Sequence, residues 1–246
     1  MKYAPQIQSL LNEGLSINKI SKRLGVGKST IYFHYKKLFG KKTKPVTFNF
    51  KDEGELGEFL GIFAGDGNFT LTSKYQYCIR IYTGAYEKGY LKYLENKLPL
   101  WFGKKPFKYS VQYKGKTSCI IFLYLSKAIY SLLHEHLFWE GKKGYSVRLR
   151  NFNLGRVDFN RGFLRGIVDT DGSYYAPKRR ISFTTVSPYL ADQAQLIMMG
   201  LGLSPKRYFH RYSGKAPVHT LALHGKECKS FLEQVRPNNP NKAPLV

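Results

Sequence analysis

The hydrophobic positions of residues 54–246 follow one order of helical and extended periodicities, and that order occurs twice. Each copy begins with an apolar helical segment, continues through two extended segments, an amphipathic helix and two more extended segments, and closes with a helix. The predicted strands are 68–72, 75–83, 107–113 and 117–125 in the first copy and 173–175, 181–186, 207–212 and 218–223 in the second. The pattern predicts an α+β fold of two pseudo-symmetric αββαββα halves, residues 54–150 and 151–246.

Residues 1–42 have a different pattern, which is typical of three short helices. Apolar residues at helical spacing predict helices over 5–12 and 28–39, and Ser16 is a suitable N-cap for the helix between them. Gly25-Val26-Gly27 predicts a tight turn, and two helices joined by a short glycine-containing turn form a helix-turn-helix. This segment is similar to the helix-turn-helix of resolvases and many repressors.

That resemblance implies that the start of the third helix enters the major groove of DNA. The candidate contacts are Lys28, Ser29, Thr30, Tyr32 and His34. A small helical hairpin that binds another protein is the alternative. Residues 43–53, which follow the basic pair Lys41 and Lys42, are the predicted linker to the first half.

The charge of the chain favours a polyanionic partner. The sequence has 40 Lys and Arg against 16 Asp and Glu, a net charge of +24, and nucleic acid binds such chains because counterions are released. An anionic membrane surface is the alternative, but no apolar run approaches a membrane span and no signal peptide opens the chain. Three cysteines without a CxxC pair argue against a zinc site or disulfide scaffold and predict the cytoplasm or an organelle matrix.

A block with a small residue at every fourth position opens both halves. The first copy is Gly57-Glu-Phe-Leu-Gly61-Ile-Phe-Ala-Gly65-Asp66-Gly67, and the second is Gly162-Phe-Leu-Arg-Gly166-Ile-Val-Asp-Thr170-Asp171-Gly172. Small residues at this spacing share one helix face, so the two helices can pack backbone to backbone. That packing would bring Asp66 and Asp171 together at two negative helix ends, which is unfavourable unless a divalent cation binds them. A simple turn at each Asp-Gly is the alternative interpretation.

These two blocks resemble the signature motif of the LAGLIDADG homing endonucleases. The resemblance implies two four-stranded antiparallel sheets that form a saddle over DNA, with the motif helices at the centre. It implies a monomer, because single-chain members carry two motifs. The second aspartate of the family motif carries the metal site, which assigns Asp66 and Asp171 as catalytic ligands of Mg²⁺. The first aspartate is Ala64 in one copy and Asp169 in the other, so we interpret Asp169 as structural.

Basic residues of the predicted strands, with tyrosines among them, are candidates for DNA contact. They are Arg80, Lys108, Lys116, Arg180, Arg207 and Arg211. By resemblance, Lys143 and Lys242, at equivalent positions after the two closing helices, are catalytic residues near the scissile phosphates, and Thr83 and Thr185 position water. The alternatives are core packing for the tyrosines, a solvated face for the basic residues and an exposed loop for Lys143.

The motifs and the charge together predict a site-specific homing endonuclease that makes a metal-dependent staggered break in double-stranded DNA at a long recognition site. A non-catalytic transcriptional regulator, built from a LAGLIDADG-like scaffold and a helix-turn-helix, is one alternative. The presence of both Asp66 and Asp171 argues against it. An RNA maturase that assists group I intron splicing is the other alternative, and it would add intron RNA as a partner.

Overall fold

A computed structural model of the protein describes residues 3–40, 45–211, 213–214 and 216–244. Residues 41–44, which include three lysines and the start of the predicted linker, and Tyr212 lie outside these ranges. The chain divides into two compact units, Met1–Pro45 and Val46–Val246. Among the helices of the described ranges, none is both long and apolar enough to cross a bilayer.

The first unit contains three short helices, as the periodicity predicts. They are α1 (Ala4–Asn12), α2 (Ile17–Leu24) and α3 (Lys28–Phe39). The Ser16 hydroxyl accepts the backbone N–H of Lys19 at 3.3 Å and caps α2. Gly25 ends α2 with a φ of +63°, a left-handed conformation that glycine adopts without strain. The core of this unit consists of Ile7, Leu10, Leu11, Ile20 and Ile31.

The first half of the second unit has the predicted order of elements. They are α4 (Glu53–Asp66), β1 (Gly67–Leu71), β2 (Tyr77–Gly84), α5 (Lys88–Phe102), β3 (Phe107–Tyr113), β4 (Lys116–Leu125) and α6 (Lys127–His136). The strands form an antiparallel sheet in the order β1-β2-β4-β3. A connection that the sequence did not predict follows and contains β5 (Leu137–Phe138), α7 (Lys143–Ser146) and β6 (Arg148–Leu149).

The second half repeats this order. Its elements are α8 (Val157–Asp171), β7 (Gly172–Tyr175), β8 (Arg180–Thr185), α9 (Pro188–Gly200), β9 (Lys206–His210), β10 (Val218–His224) and α10 (Gly225–Val235). The sheet order is β7-β8-β10-β9, again antiparallel. The two sheets share their register, since Gly67 pairs with Ile81 in the first and Gly172 pairs with Phe183 in the second. The predicted α+β fold of two αββαββα halves is confirmed.

The two motif helices α4 and α8 pack through their small-residue faces, as predicted. A Cβ added to Gly57 would lie 2.1 Å from the carbonyl oxygen of Phe159, and one on Gly61 would lie 2.3 Å from that of Phe163. From the other helix, a Cβ on Gly166 would lie 2.3 Å from the carbonyl oxygen of Glu58. These distances are shorter than any van der Waals contact, so glycine is required for the helices to approach this closely.

Residues 46–50, which the sequence analysis placed in the linker, pack against the first half. The backbone N–H groups of Thr47 and Asn49 donate to the carbonyl oxygens of Phe102 and Trp101 at the end of α5, at 3.2 and 2.8 Å. The Phe50 ring lies 5.9 Å from both of these aromatic side chains. Aromatic burial therefore attaches this segment to the core, although the basic residues before it have the composition of a linker.

Candidate functional site

Asp66 and Asp171 are the last residues of the paired motif helices. Each is followed directly by a strand that begins with glycine. Gly67 has an extended backbone that any residue can adopt, so glycine is needed here for its small size. A Cβ at this position would lie 2.3 Å from Cδ2 of Phe63. The two helix ends are close, because a Cβ on Gly65 would lie 2.1 Å from Oγ1 of Thr170 and 3.0 Å from Oδ2 of Asp171. The structure thus brings together the ends that carry the two aspartates.

The site opposes the ionisation of both carboxyl groups. Burial, with the charge of Asp171 added to it, raises the pKa of Asp66 to about 7, against the opposite effects of Lys242 and Lys143. Burial also raises the pKa of Asp171, against the attraction of the same two lysines. Asp66 is half-buried and Asp171 is exposed, so a ligand can reach both. Carboxylate oxygens held together at this cost are a donor set that suits a hard divalent cation.

Lys143 caps the first motif helix. Its ammonium donates to the carbonyl oxygens of Phe63, Ala64 and Gly65 at 2.7, 2.5 and 2.8 Å. These are carbonyls of the last turn of α4, where the helix dipole is negative. An ammonium has three donors, so this arrangement uses all of them. Burial lowers the pKa of Lys143 to about 8, and the two aspartates oppose that shift. A contact from Lys143 to phosphate would therefore require exchange of a cap bond.

Lys242 has a different environment. Its ammonium lies 3.7 Å from Oε1 of Glu87, beyond hydrogen-bond range, and a quarter of the side chain is exposed. Lys242 lowers the pKa of Asp66 more than Lys143 does, whereas Lys143 lowers the pKa of Asp171 more than Lys242 does. Each aspartate is therefore influenced most by the lysine of the other half: Lys242 of the second half acts on Asp66, and Lys143 of the first half acts on Asp171.

Glu87 is a site residue that the sequence analysis missed. This buried carboxylate accepts the Thr83 hydroxyl at 3.1 Å, the Gly84 N–H at 3.0 Å and the Asn239 side-chain amide at 3.2 Å. Its charge raises the pKa of Asp66. The sequence signal was weak, because Glu87 immediately precedes α5 and has the position of an ordinary helix-capping residue.

A cavity of about 380 Å³ lies beside Asp171. Thr185, predicted as a water-positioning residue, lines it, while its counterpart Thr83 is 2 % exposed and donates to Glu87. Gly144 on α7 also lines the cavity, next to the capping residue Lys143. The surroundings of the two aspartates consequently differ: a second carboxylate lies near Asp66, and open space adjoins Asp171.

Two predicted DNA contacts lie on the outer face of the sheets, the face that points away from the helices. Arg80 on β2 donates to Thr70 at 2.6 Å and to the Tyr109 hydroxyl at 3.3 Å. Arg180 on β8 lies over the ring of Tyr208 at 5.9 Å. Both arginines alternate with buried strand residues, which fixes their direction. The exposed Lys206, two residues before Tyr208, lies on the same face and was missed.

Three other predicted contacts lie on the opposite face, so the prediction that all of these basic residues share one face of the strands was wrong. Lys108 pairs with Glu95 of α5, and Arg207 pairs with Asp192 of α9 at 2.5 Å. Arg211 stacks at 5.2 Å on Phe209, which alternates with Tyr208 and shares the face of Arg207. Adjacent strand residues point to opposite faces, so Lys108 and its neighbour Tyr109 cannot lie on the same face. Lys116, at the start of β4, is exposed.

In the first unit, the start of α3 presents four of its five predicted contacts to solvent. Lys28, Ser29, Thr30 and Tyr32 are exposed. His34 is only 6 % exposed, because it lies one turn beyond Ile31 and points into the core of the unit with that residue. His34 is therefore not on the surface available to DNA.

Comparisons with known proteins agree with this fold. Residues 158–236 match the model of a LAGLIDADG-like domain. The structure of I-DmoI in complex with DNA and calcium is similar, with 16% identity and a TM-score of 0.52, over 78% of this chain and 96% of that chain. The N-terminal LAGLIDADG domain of DUF199/WhiA is similar at 15% identity and a TM-score of 0.51, over 77% of this chain and 86% of that chain.

Full-length DUF199/WhiA from Thermatoga maritima is also similar, at 16% identity and a TM-score of 0.51, over 79% of this chain and 60% of that chain. At these identities the structural matches show the fold alone. No curated protein matches the sequence. The second half is thus similar in sequence to a LAGLIDADG-like domain, and the two halves together have the fold of these LAGLIDADG structures.

Proposed function

We propose that this protein is a site-specific, metal-dependent endonuclease that makes a staggered break in double-stranded DNA. The observation that carries the proposal is the pair of carboxyl groups at the ends of α4 and α8, between two lysines supplied from opposite halves. A pair of this kind is unfavourable for stability alone, which favours a functional reason for it. A structure of the similar I-DmoI is described as a complex with DNA and manganese, which supports the same class of partner and cofactor.

Asp66 and Asp171 fit a divalent cation such as Mg²⁺, since burial raises the pKa of both carboxyl groups and the charge of Asp171 adds to that effect on Asp66. When bound, such a cation lowers the pKa of water and stabilises a leaving oxygen. The protein itself holds the two carboxylates in place through the glycine contacts of α4 and α8. Lys242 is placed to offset negative charge on a phosphate, and Lys143 fixes the end of α4 through its three cap bonds.

DNA would lie along the outer faces of the two sheets, where Arg80, Arg180 and Lys206 supply positive charge and tyrosines supply stacking surface. Lys116 extends this surface at the hairpin between β3 and β4. The first unit would act as a helix-turn-helix that lengthens the recognised site through the exposed residues at the start of α3. We propose a monomer, because both halves of the site are in one chain.

The test begins with selection of bound DNA from a randomised double-stranded library in the presence of Ca²⁺. Selected sites are then incubated with Mg²⁺ and with EDTA. We expect a double-strand break with Mg²⁺ only, and its loss in Asp66→Asn and in Asp171→Asn while DNA binding persists. The variant Lys229→Ala, at an exposed position on α10, is the control and should cut normally. Tight binding without any cut in Mg²⁺ would contradict the proposal and favour a transcriptional regulator.

A further inference from the structure

The segment after α10 crosses from the second half to the first and is buried along much of its length. Asn239 is 0 % exposed and Ala243 is 1 % exposed. Asp169, the motif aspartate without a counterpart, holds the start of this segment. Its Oδ1 accepts the backbone N–H groups of Asn238 and Asn239 at 2.8 and 2.9 Å. Asp169 thus contacts the segment that carries Lys242.

Asn239 connects three parts of the molecule through one side chain. Its amide donates to the carbonyl oxygen of Asp169 at 2.7 Å and to Oε1 of Glu87 at 3.2 Å. Its side-chain oxygen accepts the N–H of Asn241 at 3.1 Å, and its backbone carbonyl accepts the N–H of Lys242 at 3.0 Å. These contacts join α8, the carboxylate near Asp66 and the turn that places Lys242.

The connection in the other half of the site is built differently. There the Ser187 hydroxyl, at the N-cap of α9, donates to the carbonyl oxygen of Val147 at 2.8 Å. Val147 belongs to the segment that carries Lys143, so the topology is the same. The chemistry differs, because the Ser187 hydroxyl bonds backbone groups of Val147 and Leu190, and Lys143 is held by its own bonds to α4. Of these two connections, the one through Asn239 bonds both a carboxylate, Glu87, and the turn that carries Lys242.

We propose that Asn239 is a positioning residue that fixes Glu87 and Lys242 beside Asp66, and that its effect is confined to the DNA strand cut in that half of the site. This proposal rests on the endonuclease function proposed above. It assigns to Asn239 no contact with DNA, since the side chain is fully buried. Loss of the side-chain amide removes the bridge to Glu87, whereas the bonds that hold Lys143 to α4 do not involve Asn239.

The test measures nicking of each strand separately in a selected site whose two strands carry different labels. We expect Asn239→Ala to slow cleavage of one strand about tenfold or more, because small displacements of catalytic groups have effects of that size. The other strand should change by about twofold or less. Glu87→Gln and Lys242→Met should slow the same strand as Asn239→Ala. Asn241→Ala, which keeps the backbone N–H that Asn239 accepts, is the matched control and should cut both strands as the wild type does.

Equal slowing of both strands would overturn the proposal, since loss of stability alone acts on the whole site. Hydrogen exchange of the metal-free, DNA-free protein gives a second measurement, which does not depend on cleavage. Asn239→Ala should lose protection in residues 237–244 and keep it in α4 and α8. Wild-type protection of that segment in Asn239→Ala would refute the bridge. If the wild type does not cut at all, the proposed function fails, while the exchange result still decides the bridge.

Discussion

Substitution of Gly61 by alanine tests whether direct backbone contact between α4 and α8 holds the two halves together. The added Cβ would lie 2.3 Å from the carbonyl oxygen of Phe163 and 3.0 Å from both Cα of Gly166 and N of Ile167. All three atoms belong to the backbone, so no side chain can move aside. The helices would have to separate by about 1 Å, which forfeits a large part of the dispersion energy at the interface.

The expected cost is large relative to the stability of a domain. Overpacking of a core costs about 1–3 kcal/mol and occasionally more, and we expect about 3 kcal/mol here because two helix backbones are displaced. A domain has about 5–15 kcal/mol in total. At a urea m-value of about 3 kcal/mol/M, the unfolding midpoint should fall by about 1 M. The chain has two tryptophans, Trp101 and Trp139, both in the second unit, so their fluorescence reports on that unit alone.

Gly200→Ala is the matched control. Gly200 is a helical residue of α9, and its Cβ would meet only Cδ2 of Leu154, at an ordinary 3.5 Å. The same chemical change should therefore leave the midpoint unchanged or raise it, since alanine is favoured over glycine in helices by up to about 1 kcal/mol. A midpoint for Gly61→Ala at or above that of the wild type would refute the steric argument. So would an equal loss in both variants.

Three further predictions concern the carboxylates and lysines of the site. The folded pKa of Asp66, about 7, exceeds its ordinary 3.8, so metal-free stability should fall as pH rises between these values. The melting temperature of Asp66→Asn should accordingly exceed that of the wild type at pH 8 and converge with it near pH 4. Lys143→Met should lower the free energy of unfolding by about 1–3 kcal/mol, because three carbonyls lose their hydrogen-bond donor. Lys242→Met should change it by less than about 1 kcal/mol, because the Lys242 ammonium makes a longer contact, with Glu87. Similar losses for the two variants in urea unfolding would contradict this. Mg²⁺ should raise the melting temperature of the wild type and not that of Asp171→Asn, and an equal rise in both would remove Asp171 from the metal site.

The parts that the sequence predicted are those encoded by local spacing. The glycines at every fourth position of the two motif helices define one helix face by themselves, and the aspartates follow from where those helices end. The faces of the strands were also encoded, since Lys108 is adjacent to Tyr109 and Arg207 to Tyr208. Strict alternation of side chains along a strand would have placed the two members of each pair on opposite faces. The incorrect prediction of one shared face came from grouping residues by type and not by their odd or even position in the strand.

The bridge through Asn239 could not be predicted in this way. Asn239 and Glu87 are 152 residues apart, and neither has an unusual local pattern. Their contact depends on the crossing of the segment after α10 into the first half, which follows from the packing of α4 on α8. Pseudo-symmetry between the halves would not have predicted it either, because the corresponding connection in the other half of the site is a bond from the Ser187 hydroxyl to the backbone carbonyl of Val147.

The same close approach that stabilises the two halves also creates the site. Glycine contacts bring the ends of α4 and α8 together, and with them two negative helix ends and two carboxyl groups. Lys143 compensates the end of α4 through three carbonyls, and the Asn239 amide binds the carbonyl of Asp169 in the last turn of α8. The ammonium at the end of α4 carries a positive charge and the amide at the end of α8 does not, so the negative ends of the two helices are compensated to different extents. The symmetric fold therefore carries an asymmetric centre. The strand-specific effect expected for Asn239 follows from its bond to Glu87, the carboxylate near Asp66, since open space adjoins Asp171 instead.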